Sequence, residues 1–198
     1  DQDFDILVLV GFEHTLRNSP LLEAYKNKDI EVLIMDEDID EIVVPSIGTY
    51  DETELKSVNR ASAADDLKTE EDEEKEKELE PLLEKIKETL GDRVKNVVAS
   101  KRLSNSPSCI VADENDPTVQ MQHILKAMGQ QEMPDIKPIL EVNPNHAIVK
   151  SLKDSQDDGL LEDVSHLLLE QAMLIEGAEL KQPTDFVNRL NRILEKAM

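Results

Sequence analysis

The sequence predicts a mixed architecture: a small α/β sandwich unit, then an α+β domain ending in a helical hairpin that forms a four-helix bundle with a second copy. Three observations carry this expectation. Two short apolar runs, Asp5-Ile6-Leu7-Val8-Leu9-Val10 and Ile30-Glu31-Val32-Leu33-Ile34-Met35, flank a helical segment. A run of almost pure charge, Asp65 to Glu80, separates that part from the rest. Residues 157–198 hold two helical patterns whose apolar faces are wider than a single packing partner requires.

In the first part, the unbroken apolar runs mark strands covered on both faces. Ser19-Pro20 starts the helix between them, with Ser19 as N-cap and Pro20 at the first helical position. Strand, helix and strand in this order make a parallel crossover. Ile39 to Val44 is a short helix or strand, and Pro45 is expected to end it.

The stretch Asp65–Glu80 holds ten acids and three lysines. Either a solvated helix or a disordered connector fits this composition. We expect a connector over 65–80 that turns helical toward Leu79, because Leu79, Leu82, Leu83, Ile86 and Leu90 recur at helical spacing and Gly91 is a good stop. The division is therefore 1–64, a connector 65–80, and 81–198.

Further on, Val94–Ser100, Ser108–Val111 and Ile136–Val142 are strand-like, and Thr118–Met128 is helical between Pro117 and Gly129. Asn143-Pro144-Asn145-His146 has turn or helix-start chemistry. In the last part, Leu161, Val164, Leu168, Ala172 and Ile175 lie on a first helix that Gly177 ends. Phe186, Leu190, Ile193 and Leu194 lie on a second, starting near Pro183. Together they form an αα-hairpin. A second copy of the hairpin would cover the excess apolar surface with two-fold symmetry, so these nine residues are the candidate homodimer interface.

Composition narrows the function classes. A net charge of −22 disfavours nucleic acid and anionic membrane surfaces as partners. No apolar run approaches the roughly 18 residues of a membrane span. The single cysteine, Cys109, precludes an intrachain disulfide and fits a reducing, cytoplasmic setting. The chain opens at Asp1 without a signal-peptide pattern and enters a strand by Phe4, as a segment of something longer would.

Catalytic chemistry is sparse. The six glycines are isolated, so there is no phosphate-cradling loop. His14, His123, His146 and His166 lie too far apart for ligand spacing, and no metal site is expected. His146 more simply caps its turn. The acids Asp36-Glu37-Asp38 and Asp40-Glu41 have two readings. They cap the following helix, which we prefer, or they form a Mg²⁺ and phosphoryl site as in a receiver-like signalling protein with a helical dimerisation tail. In that alternative Asp36 or Asp38 would be phosphorylated. Met121, Ile124, Leu125 and Met128 give the Thr118–Met128 helix a methionine-containing apolar side, either ordinary core or a surface for varied apolar partners.

An ordered series of segments resembles one family. Asn18-Ser19-Pro20, Ile30–Leu33 and Asp36–Glu41 come first, then Gly91-Asp92-Arg93-Val94-Lys95 and Ser100-Lys101-Arg102-Leu103. Ser106-Pro107-Ser108-Cys109-Ile110-Val111, Gln120-Met121, Lys126-Ala127 and Glu141–His146 follow, and the series closes with Glu170–Leu180 and Pro183 to Leu194. In this the chain is similar to heat-shock protein 90 chaperones, over nearly its whole length.

The resemblance implies that 1–64 is the end of the middle domain and 81–198 the C-terminal dimerisation domain. It implies client contact by the helix carrying Met121, Ile124, Leu125 and Met128, with unfolded or partly folded proteins as clients. It also implies an ATP- and Mg²⁺-dependent activity housed upstream, with no catalytic or cofactor residue in this segment. Some members carry a regulatory cysteine pair near Ser108-Cys109; here the first of the pair is serine, and an inert core thiol is the better reading. Asp29 stands where the family commonly has glycine, implying a less permissive turn. An ending at Ala197-Met198 without an acidic tail motif implies a bacterial-type member.

Overall fold

The computed structural model describes residues 5–130 and 137–198. The first part is built on a four-stranded sheet in the order β2-β1-β4-β3, from β1 (Ile6–Val10), β2 (Leu33–Met35), β3 (Thr49–Tyr50) and β4 (Thr53–Ser57). β1 runs parallel to both β2 and β4, with Val8 opposite Leu33 on one side and Ile6 opposite Leu55 on the other. Its side chains alternate between two clusters. Leu7 and Leu9 pack with Leu16, Leu21, Tyr25 and Val58, while Ile6, Val8 and Val10 pack with Val44 and Met35. Burial on both faces is why this strand reads as an unbroken apolar run.

Between β1 and β2 lie α1 (Glu13–Leu16), a 3₁₀ turn over Pro20–Leu22 and α2 (Glu23–Asn27). Ser19 caps this start as expected, its hydroxyl accepting from Leu21 N–H at 3.2 Å, with Pro20 at the first position. Asp29, at the position where the resemblance placed glycine, has φ +54°. Aspartate is one of the few side chains that tolerates the left-handed region.

Two expectations fail here. Pro45 does not end its segment: α3 (Asp40–Ile47) continues past it and stops at Gly48, with φ +66°. The 65–80 connector is not one, because α4 runs from Glu70 to Leu90. The Thr69 hydroxyl accepts from Asp72 N–H at 3.3 Å and the Asp72 carboxylate accepts from Thr69 N–H at 2.9 Å, a reciprocal capping box. Glu70, Glu71, Asp72 and Glu73 then sit at the positive end of the helix, where their charge stabilises it. A charge run of this composition is a solvated helix once its start is capped. The helix also passes through the exposed Pro81.

The second part contains a three-stranded sheet in the order β5-β7-β6, from β5 (Asn96–Ala99), β6 (Ser108–Val111) and β7 (Ile139–Val142). β7 is parallel to β5 and antiparallel to β6. Ile136, expected to begin β7, lies outside the described residues. α4 and α7 (Asp158–Ile175) pack against this sheet and each other. Leu79, Leu82, Leu83, Ile86 and Leu90 join Leu140, Val142, Leu168 and Leu169 in one core. α5 (Val119–Ala127), α6 (Ala147–Asp154) and α8 (Pro183–Ala197) complete the chain.

The two parts share a seam. Leu103, Cys109 and Val111 belong to the same cluster as Leu9, Tyr25 and Val58. Arg102, with no exposed surface, crosses it. Its Nε and Nη2 meet the Glu141 carboxylate at 3.1 Å each, Nη1 donates to Val58 O at 2.7 Å, and Nη2 donates to Arg60 O at 3.0 Å and Ala61 O at 3.2 Å. Glu23 reinforces the seam by accepting the backbone N–H groups of Ser104 at 2.7 Å and Asn105 at 2.8 Å.

Candidate functional site

α7 begins at Asp157, whose carboxylate accepts from Leu160 N–H at 2.9 Å, and ends at Gly177, with φ +79°. α8 antiparallels it, and none of its side chains is buried. Three ion pairs hold the helices in register: Lys196 to Asp157 at 2.7 Å, Arg192 to Asp163 with Nε at 2.9 Å, and Arg189 to Glu170 at 2.8 Å. Glu170 is buried and also receives Arg93 at 3.1 Å. His166 stands beside Arg93; burial and the positive charges of Arg189 and Arg93 lower its pKa to about 4. It is therefore neutral near pH 7.

The nine residues expected at an interface divide between core and surface. Val164, Leu168 and Ala172 are buried within the chain's own core, against the expectation that they face a partner, because α7 uses that stripe to cover the sheet and α4. Leu161 and Ile193 are partly buried against the same core, and Phe186 is half-buried. Ile175, Leu190 and Leu194 are exposed, the last to 52%. Leu174 and Val187, outside the expected nine, are exposed as well. The apolar outer face thus draws on the α7 C-terminus and one side of α8.

α5 is capped by Thr118, whose hydroxyl accepts from Met121 N–H at 3.1 Å. Val119 and Gln120 are buried, Met121, Ile124 and Leu125 are half-buried, and Met128 is 74% exposed. The Thr118 hydroxyl also donates to Glu41 of α3. Burial raises the Glu41 pKa above the usual carboxylate range, outweighing that hydrogen bond and the Arg60 charge. This contact sets α3 beside the start of α5, and α3 leaves Ile42, Val43 and Ile47 exposed. Sequence reasoning missed this apolar face because it attended to the acids before it.

Those acids behave modestly. Asp36, Glu37 and Asp38 are exposed, and Asp40 turns back to accept from Glu37 N–H at 3.1 Å. Ile39 occupies the N-cap and makes no side-chain cap, so the preferred capping reading does not hold in its simple form. His146 caps α6, its Nδ1 accepting from Ile148 N–H at 3.2 Å. Cys109 is buried beside Glu141, and burial pushes its thiol pKa well above the ordinary value, so the sulfur stays protonated and unreactive.

The cavity beside Gln120 and Glu176 holds about 20 Å³. A groove of about 530 Å³ along α4 and β5 is lined by Glu73, Glu76, Glu80 and Glu84 together with Lys68, Lys77 and Lys87. Among the described residues, no group of three His, Cys, Asp or Glu side chains could hold a metal ion, and no helix is long and apolar enough to cross a membrane.

Fold and surface define a mixed α/β protein whose terminal helical hairpin carries an apolar outer face that its own chain leaves uncovered. A family model described as Hsp90 protein matches residues 8–198, and the chain belongs to that family. Its relatives include proteins named chaperone protein HtpG. That of Treponema denticola is 58% identical over 92% of this chain and 29% of its own length. The protein of Aliarcobacter butzleri is 50% identical over 94% and 30%, and that of Legionella pneumophila 44% over 98% and 31%. The chain thus spans less than a third of the length of the curated relatives it matches.

Proposed function

We propose that this chain is the homodimerisation and client-contact module of an ATP-dependent, HtpG-type chaperone. Residues 1–64 would be the end of the middle domain and 81–198 the C-terminal dimerisation domain. ATP, Mg²⁺ and the hydrolytic step would act through other parts of a cytoplasmic full-length protein. The carrying observation is α8: a 15-residue helix with no buried side chain and with Val187, Leu190 and Leu194 exposed on it. Leu174 and Ile175 at the end of α7 are exposed as well, and a second copy of the hairpin would cover these residues in a four-helix bundle. The receiver-like alternative is not favoured, since the family match covers residues 8–198.

Sedimentation tests the dimer. Leu190→Asp or Leu194→Asp is expected to convert dimers to monomers with an unchanged circular dichroism spectrum; dimers that persist rule the assignment out. Leu168 is unsuitable for this purpose, because it sits in the core. The client surface is assigned to α5, with the adjacent α3 face. Serine at Met121, Ile124 and Leu125 together is expected to weaken capture of an unfolded protein while the dimer persists. Loss of the folded state instead would mark these side chains as core.

A further inference from the structure

We propose that the Glu176–Gly177 turn is the joint coupling the α5 surface to the α7–α8 hairpin, and that His123 is the positioning residue that sets the coupling. The inference rests on the roles proposed above for α5 and α8. Several contacts converge on this turn from separate parts of the fold. α7 closes with Gly177 N–H donating to Leu174 O at 3.1 Å and Ala178 N–H donating to Met173 O at 2.9 Å, the Schellman pattern. The Gly177 carbonyl accepts instead from outside the helix: His123 Nε2 of α5 donates to it at 3.1 Å. A carbonyl only accepts, so the His123 ring carries its proton on Nε2.

The same imidazole meets the ring of Phe12 edge to face, with centroids 5.4 Å apart at 80°. Phe12 follows β1 and so belongs to the first part of the chain. It also lies directly over the turn. A Cβ on Gly177 would come within 2.8 Å and 3.0 Å of two Phe12 ring carbons, and the backbone there has φ +79°. Glycine is required for both reasons. A second close approach lies alongside, where a Cβ on Gly11 would come within 3.1 Å of Gln120 Nε2. Gln120 is buried and its Oε1 has no hydrogen-bond partner; with Glu176 it lines the small cavity behind the turn. The inner side of α5 is thus pinned between the β1 end and the root of the hairpin, while its outer side holds the half-buried apolar residues. A chain bound on the outer side that shifts α5 must also shift the Gly177 carbonyl, and with it α8.

The test measures the dimer dissociation constant by sedimentation, with and without saturating reduced, carboxymethylated α-lactalbumin as the unfolded probe. In the parent chain the probe is expected to change this constant by about fivefold or more, the lower end of usual site-to-site coupling. His123→Ala is expected to reduce the change to less than about twofold while leaving the probe-free constant in place. His123→Gln, which keeps an N–H donor, is expected to restore most of the change. Phe12→Leu keeps the hydrogen bond, removes the ring contact and is expected to reduce the change; it carries the test if the alanine variant does not fold. The parent's full change in a folded His123→Ala protein overturns the proposal, as does a parent dimer that binds the probe with no change. A parent chain that is monomeric or binds no probe overturns the earlier reading and this one with it, and the parent measurements alone reveal that case.

Discussion

At the scale of residues, Arg102 is the side chain on which most depends. Its guanidinium is buried, and every partner it has is either the Glu141 carboxylate or a carbonyl on the other side of the seam. Removing it strands a buried carboxylate, and losing one member of such a pair costs about 3–5 kcal/mol. Arg102→Leu is expected to lower unfolding stability by that amount in urea titrations, and adding Glu141→Leu to recover much of it. Glu176 gives a prediction in pH. Burial raises its pKa to about 7 against the opposing charge of Arg102, while the unfolded chain keeps the ordinary value of 4.5. The folded state therefore binds the proton more tightly. Its contribution is fully present below pH 4.5 and is lost as pH rises through 7. Glu176→Gln should flatten that part of the stability profile and stabilise the protein at pH 8 by about 1–2 kcal/mol relative to the parent, a figure reduced because the residue is only partly enclosed.

At the scale of elements, α4 shows how one capped start decides the fate of a charged segment. Without the Thr69 hydroxyl, the acidic first turns have little apolar contact to hold them. Thr69→Ala is expected to cost about 1 kcal/mol and to speed amide exchange over residues 70–76 with little change beyond Leu79. Uniform protection along the helix would contradict this. The hairpin follows a different logic. α7 is held by burial, whereas α8 is held by the three ion pairs and the partly buried Ile193. The Lys196–Asp157 pair is exposed and contributes about 0–1 kcal/mol, whereas Arg189 and Arg192 reach the buried carboxylates of Glu170 and Asp163. With no buried side chain of its own, α8 is expected to depend on the proposed dimer partner as well as on α7.

At the scale of the whole molecule, net charge sets the conditions for assembly. Two chains of −22 each repel one another at long range. Raising ionic strength from about 0.01 M to about 0.15 M shortens the screening length from roughly 30 Å to 8 Å. The dissociation constant of the proposed dimer is expected to fall over this range. A rise would mean that ion pairs between subunits dominate over the overall repulsion. The shared core of Leu103, Cys109 and Val111 with the first part also makes the seam a packed interface, so the parts are expected to unfold together.

Local pattern carried much of this protein. The strand β1, the apolar stripe of α4, the caps at Ser19 and His146, and the terminal hairpin are all written in residues a few positions apart. Each answers to backbone periodicity or to one side chain reaching a near neighbour, whereas β2 is shorter than the Ile30–Met35 run and leaves Leu33 exposed. Elsewhere only the tertiary structure decided. The β3–β4 hairpin turns at Asp51 and Glu52, both at positive φ, without the glycine or asparagine that signals such a turn. Which apolar residues of the hairpin face inward was equally hidden: Leu168 and Leu190 look alike in sequence, yet α4 and the sheet cover one and leave the other exposed. Arg102 with Glu141, Glu41 with Thr118, and His123 with Gly177 meet across 39, 77 and 54 residues. Such contacts leave no periodic trace, because they exist only once separate elements have packed and excluded water between them.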